Sequence, residues 1–98
     1  MILTTQMKFI FGELIITAAA LDAIPADDIC NALDRHIRGD WGDLDDDDRR
    51  ENELGLRIGL RLLSAYCSGT GFKFFVLTSA DRSLTTVLLP DETIATID

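Results

Sequence analysis

The sequence predicts an α+β domain in the order β-α-α-α-β-β-β, with its helices packed on one face of an antiparallel sheet. Three observations carry that expectation. Residues 7–17, "MKFIFGELIIT", form a short run of Phe and Ile with strand character. The middle of the chain has helical apolar spacing punctuated by capping residues. The C-terminal part holds three strand-like runs separated by short turns.

Taken in order, the first run reads as a strand buried largely on both faces. Thr17 can then cap a short helix, "AAALDAI". Pro25 resets the chain, and "ADDICNALDRHI" follows as a second helix with Asp27 and Asp28 in its first turn, where the helix dipole favours them. Its apolar stripe is Ile29, Leu33 and Ile37, with His36 on the edge of that face. Gly39 is placed to end it in the left-handed conformation.

A third helix is expected to start within "DDDDRRENELGLRIG", with one Asp as N-cap and the other carboxylates complementing the dipole. Leu54, Leu56, Ile58, Leu60 and Leu62 alternate with Gly and Arg at a strand period. The acidic cap ahead and Gly59 behind favour helix to about Ile58, then strand from about Leu60 to Cys67. "RLLSAYCS", "GFKFFVLTS" and "LTTVLLP", parted by "SGTG" and "ADRS", complete a three-stranded antiparallel meander. Pro90 closes the last strand. Residues 1–98 read as a single domain, with an acidic loop over about 39–48 and a tail over about 91–98.

Composition narrows the function classes. With 47% hydrophobic and 27% charged residues the chain can build a core, so disorder is excluded. A net charge of −8 opposes phosphate binding, so direct contact with nucleic acid is not expected. The same charge suits a basic surface on a protein partner. Cys30 and Cys67 show no CxxC and no His at metal spacing, so both read as buried thiols in a reducing cytoplasm. "KFIFGELIITAAALDA" resembles a signal peptide on its surface, but Glu13 interrupts the apolar run and the run is too short to span a bilayer. A cytoplasmic protein with no membrane partner is the expectation.

The densest cluster of charge is "HIRGDWGDLDDDDRR". From Asp40 to Glu51 the length matches a calcium-binding EF-hand loop, yet its sixth position, which requires Gly, is Asp45. A frame starting at Asp43 places Asp48 there and Leu54 at the end, so neither frame works and no metal is assigned. "GDWG" and "SGTG" lack the spacing and the lysine of a phosphate loop, and no cofactor is assigned. His36 is a weak catalytic candidate, since Ser64, Ser68, Ser79 and Ser83 all lack a nucleophile-elbow context.

Trp41, flanked by Gly39 and Gly42, has two readings. Its indole folds back to anchor the loop while Asp40 or Asp43 caps backbone amides, or it is an exposed aromatic ringed by carboxylates, a protein-binding anchor. The candidate binding set is Arg38, Asp40, Trp41, Asp43, Asp45, Asp46, Asp47 and Asp48. Asp81 and Arg82, in a tight turn, pair with each other or with turn amides, or offer a second contact point.

"RHIRGDWGDLDDDD", "NELGLRIGLRLLSAY" and "TSADRSLTTVLLPDE", in that order, resemble a family of small uncharacterised bacterial proteins of plasmids and other mobile elements. The matching positions are His36, Gly39, Asp40, Trp41, Gly42, Asn52, Arg61, Ser64, Tyr66, Asp81, Arg82, Thr85 and Thr86. Ser79 stands where that family commonly has an acid, and the "PDETI" ending lacks its aromatic. The resemblance implies a mobile-element setting and no particular activity. The resulting expectation is a non-catalytic module of a plasmid or phage that binds a host protein, as an anti-restriction or anti-CRISPR factor. Two alternatives are a small toxin-like enzyme using His36, Asp40, Asn52 and Arg82, and a homo-oligomer pairing through an edge strand.

Overall fold

The structure, a computed structural model, describes residues 7–92. Seven elements follow the predicted order: β1 (Glu13–Ile16), α1 (Ala18–Ala23), α2 (Ala26–Ile37), α3 (Asp46–Ile58), β2 (Leu62–Cys67), β3 (Lys73–Thr78) and β4 (Leu84–Leu88). The fold is α+β, and β2, β3 and β4 form the expected antiparallel meander. The sheet is nevertheless mixed. Its strand order is β1-β4-β3-β2, and β1 runs parallel to β4 in the register Glu13↔Leu84 to Ile16↔Val87. Three helices and the β2–β3 hairpin lie between the two strands and return the chain to the same end of the sheet, so a parallel pairing closes it.

The helices start and stop where local chemistry dictates. The Thr17 hydroxyl accepts from the Ala20 N–H to open α1, and the Asp45 carboxylate accepts from the Asp48 N–H to open α3. Gly39 and Gly59, both at positive φ, terminate α2 and α3. After Gly59 the Leu60 N–H still returns to the Gly55 carbonyl, which is why β2 begins only at Leu62. The acidic loop is correspondingly shorter than expected. Asp46, Asp47 and Asp48 are already the first turn of α3.

Ala20 and Ile24 around α1, with Ile29, Ala32 and Leu33 of α2, pack on Tyr66, Phe74, Val76 and Val87. Complete burial of these apolar groups is the main favourable contribution to the fold. Helix α3 instead lies along the outer border of β2.

Two expectations are corrected. The strand expected over 7–17 is only four residues long, and Leu14 and Ile15 are about two-fifths exposed at the sheet edge. Gly12 at φ +69 passes so close to the Arg82–Ser83 backbone that a Cβ would sit 2.4 Å from it, and this kink separates residues 7–11 from β1. Cys30 and Cys67 are both exposed free thiols. Cys30 falls one position beyond Ile29 on α2, off the buried stripe, and Cys67 ends β2 on the side opposite Tyr66.

The tail expectation lies outside the described residues from position 93 onward. Within them, Glu92 is tied down, accepting from the Thr17 hydroxyl and the Leu89 N–H, both at 2.7 Å. Among the described residues no helix is long and apolar enough to cross a membrane.

Candidate functional site

Inside the domain runs a chain of polar side chains. His36 is fully buried; its Nδ1 is 2.6 Å from Ser64 Oγ and its Nε2 is 2.9 Å from Thr78 Oγ1. Thr78 in turn meets Thr85 at 2.8 Å, and Thr85 donates to the Phe11 carbonyl at 2.8 Å. Each hydroxyl has one proton, so the order can be worked backwards. Thr85 spends its proton on Phe11 and must accept from Thr78. Thr78 must then accept from His36 Nε2–H, which leaves Nδ1 as acceptor of the Ser64 hydroxyl. Burial, reinforced by the charge of Arg82, lowers the imidazole pKa from 6.5 to about 3, so the ring is neutral.

The edges of Phe9 and Trp41 close over that ring, at centroid distances of 5.2 and 5.7 Å. Trp41 is itself 2% exposed and donates its indole N–H to Glu53. The folded-back arrangement is therefore the one adopted. Asp40 caps the Gly42 N–H, as that reading requires, and holds Arg35 at 2.8 and 3.2 Å. The Arg35 guanidinium beside it keeps the Asp40 carboxyl below the usual carboxylate range. Arg35 also lies over the Tyr66 ring, whose hydroxyl donates to the Asp40 carbonyl.

This loop also seals the border of β2. Ala65 donates to the Trp41 carbonyl and accepts from the Asp43 N–H, making Gly42 a one-residue parallel bridge. Two residues along the strand, Asn52 of α3 accepts from the Leu63 N–H and donates to the Leu63 carbonyl. Arg49 donates to the Gly42 and Leu44 carbonyls and fixes the loop to the helix. At the far end of α3, Arg82 donates to the Gly55 and Leu60 carbonyls at 2.8 and 2.7 Å. It holds a positive φ of 63 to do so.

Asp81 does not pair with Arg82. It accepts from the Ser79 and Ser83 hydroxyls and the Ser83 N–H, which pull its carboxyl down to about 2. The sequence-predicted candidates thus fall into three groups. Trp41 meets His36 at the interior of the loop, Asp40 holds Arg35 and the Gly42 N–H beside it, and Arg38 pairs with Asp34 on the outside of α2. Asp45, Asp46, Asp47 and Asp48 stand at one end of α3, while Arg82 grips the other. With thirteen residues between those ends, the two lie about 20 Å apart.

His36, Asn52 and Arg82 do not form a shared open pocket. Both ring nitrogens of His36 are engaged, the Asn52 amide is spent on Leu63, and Phe9 packs against both the His36 ring and the Arg82 guanidinium. The start of α3 presents more acid than base outward, Asp46, Asp47, Asp48 and Glu51 against Arg49 and Arg50. Asp47 pairs with Arg50, whereas Asp46, Asp48 and Glu51 are exposed and make no ion pair among the described residues, and neither does Asp43 in the loop. Among these residues no three His, Cys, Asp or Glu side chains are grouped to hold a metal ion.

Sequence reasoning missed Ser64 and Thr78 as partners of His36, and Thr85 as the next link after Thr78. Their signal is a polar residue at an inward position of an otherwise apolar strand, in register across Ser64↔Val76 and Thr78↔Thr85. Protein-family models, curated proteins and solved structures gave no match to this chain.

Proposed function

We propose that this chain is a small, non-catalytic interaction module that binds a basic surface of another protein through the acidic start of α3. One observation carries the reading: Asp46, Asp48 and Glu51 are exposed and make no ion pair among the described residues, on a helix fixed to β2 by Asn52, to the loop by Arg49 and to the β3–β4 turn by Arg82. A rigid array of like charge speeds encounter with a basic surface and fixes its orientation. The resemblance to mobile-element proteins supports a bacterial mobile-element setting, in which the acidic surface suits a host partner and a counter-defence role against restriction or CRISPR machinery.

The test is capture from a bacterial lysate across a salt series. Wild type is compared with a variant carrying Asp46→Asn, Asp47→Asn, Asp48→Asn and Glu51→Gln, with the Asp45 cap left intact. A partner retained at low salt, released by salt and lost with the variant is the expected result. Identical retention by both proteins at every salt concentration refutes the reading. Trp41→Ala is unsuitable as a control, because removing a buried indole costs about 3–5 kcal/mol of fold stability.

A further inference from the structure

We propose that the cleft between the start of α3 and the segment leading into β2 receives an apolar side chain from a basic segment of that partner. This rests on the reading of α3 as the contact surface and gives it a specific seat. The cleft encloses about 410 Å³ and is open to solvent along one side. Its floor is Leu44, Leu60, Leu63 and Ala80, more apolar than polar. Leu60 is 38% exposed there, although it is neither helical nor in a strand.

The walls are preformed. Gly55 lets α3 approach so closely that a Cβ would lie 3.1–3.3 Å from Leu60, Arg61 and Leu62 atoms, while Asn52 clamps Leu63 from the same helix. A cleft held in this way loses little entropy when it is filled.

The rim chooses the occupant. Asp48 and Glu51, one turn apart on α3, face the opening from one side, and Arg61 faces it from the other. Arg61 makes no ion pair among the described residues. A small apolar molecule would remain largely wet in so open a cleft, whereas ligand pockets bury most of their occupant. A second copy of this chain would bring another −8 of charge against the acidic rim. A large apolar side chain with Lys or Arg beside it satisfies floor and rim together, with a carbonyl or carboxylate of the same segment meeting Arg61.

The probe is the peptide acetyl-Lys-Lys-Phe-Glu-amide, titrated into isotope-labelled protein and followed by backbone amide shifts. The expected result is saturable shifts centred on Leu44, Glu51, Leu60 and Arg61. Replacing the peptide Phe with Ala, or Leu60→Ser in the protein, weakens binding about tenfold. Arg61→Gln abolishes the preference for the peptide Glu over Gln. Thermal melting checks that Leu60→Ser, at a part-exposed site outside the helices and strands, remains folded.

Binding that is lost with Asp48→Asn/Glu51→Gln but indifferent to Leu60→Ser overturns the cleft and leaves the acidic contact surface standing. Equal binding of an uncharged peptide with Gln at every charged position overturns the basic partner and points to a general apolar pocket. No saturable shift at the cleft also overturns the proposal, while the salt-dependent capture above decides the broader reading independently.

Discussion

Ser64 Oγ lies 2.6 Å from His36 Nδ1, at the head of the interior hydroxyl chain, and burial keeps the ring neutral. A second N–H on the ring would require the Ser64 hydroxyl to turn from donor to acceptor. The pKa is depressed to about 3 from 6.5, so between those values the unfolded chain binds a proton that the folded one refuses. The stability that follows is complete above about pH 6.5 and is lost as the pH falls toward 3, at a slope approaching about 1.4 kcal/mol per pH unit. Denaturant unfolding between pH 6.5 and 4.5 isolates this contribution, because Asp40 and Asp81 act only at lower pH. His36→Gln lowers stability overall and flattens that slope; a wild-type slope in the variant would show that His36 is not its source.

Asn52 satisfies both backbone groups of Leu63 on the outer border of β2. Asn52→Ala leaves an N–H and a carbonyl without partners at a protein-lined border, at a cost of about 2–4 kcal/mol. Asn52→Asp retains the acceptor but turns a second oxygen on the Leu63 carbonyl, so it costs at least as much as Asn52→Ala. Chemical denaturation gives the order, and faster hydrogen exchange at the Leu63 amide localises the effect.

Gly42 and Gly71 both adopt positive φ, but only one is crowded. A Cβ on Gly42 would sit 1.9 Å from the Ala65 carbonyl oxygen, whereas one on Gly71 meets nothing within 4 Å. Gly71→Ala therefore costs about 1–2 kcal/mol from backbone strain alone. Gly42→Ala costs more than about 3 kcal/mol, since the loop must leave β2. Paired thermal melts of the two variants check the contrast, which equal losses would contradict.

Cys30 and Cys67 are exposed in the native fold. Both thiols are expected to react with a chromogenic disulfide reagent in buffer as completely as in denaturant, on the same timescale. A slow second phase that only denaturant relieves would mark one of them as buried.

The helices were legible because their signals are local. Thr17, Asp45, Gly39 and Gly59 act within a few residues of their own position, so a linear reading finds them. The parallel β1–β4 pair was not legible, because its partners are separated by every other element and β1 carries no turn to its neighbour. Gly12 broke the first strand through contact with the Arg82–Ser83 backbone, a neighbour no local pattern reveals. Around the loop, the charge run and its helix cap were plain in the sequence. The inward fate of His36, Asn52 and Arg82 was not, since each is fixed by a backbone or hydroxyl partner distant along the chain.

The covered border of β2 has a consequence for how this sheet can meet others. Trp41, Asp43 and Asn52 already occupy the outward backbone groups of Ala65 and Leu63, so an incoming strand finds the middle of that border taken. At the opposite limit stands the four-residue β1. Two molecules joined there would expose only their blocked β2 borders, and the row would end at a pair. The loop and Asn52 thus act as a chain terminator, keeping an exposed, apolar edge from seeding open-ended fibres.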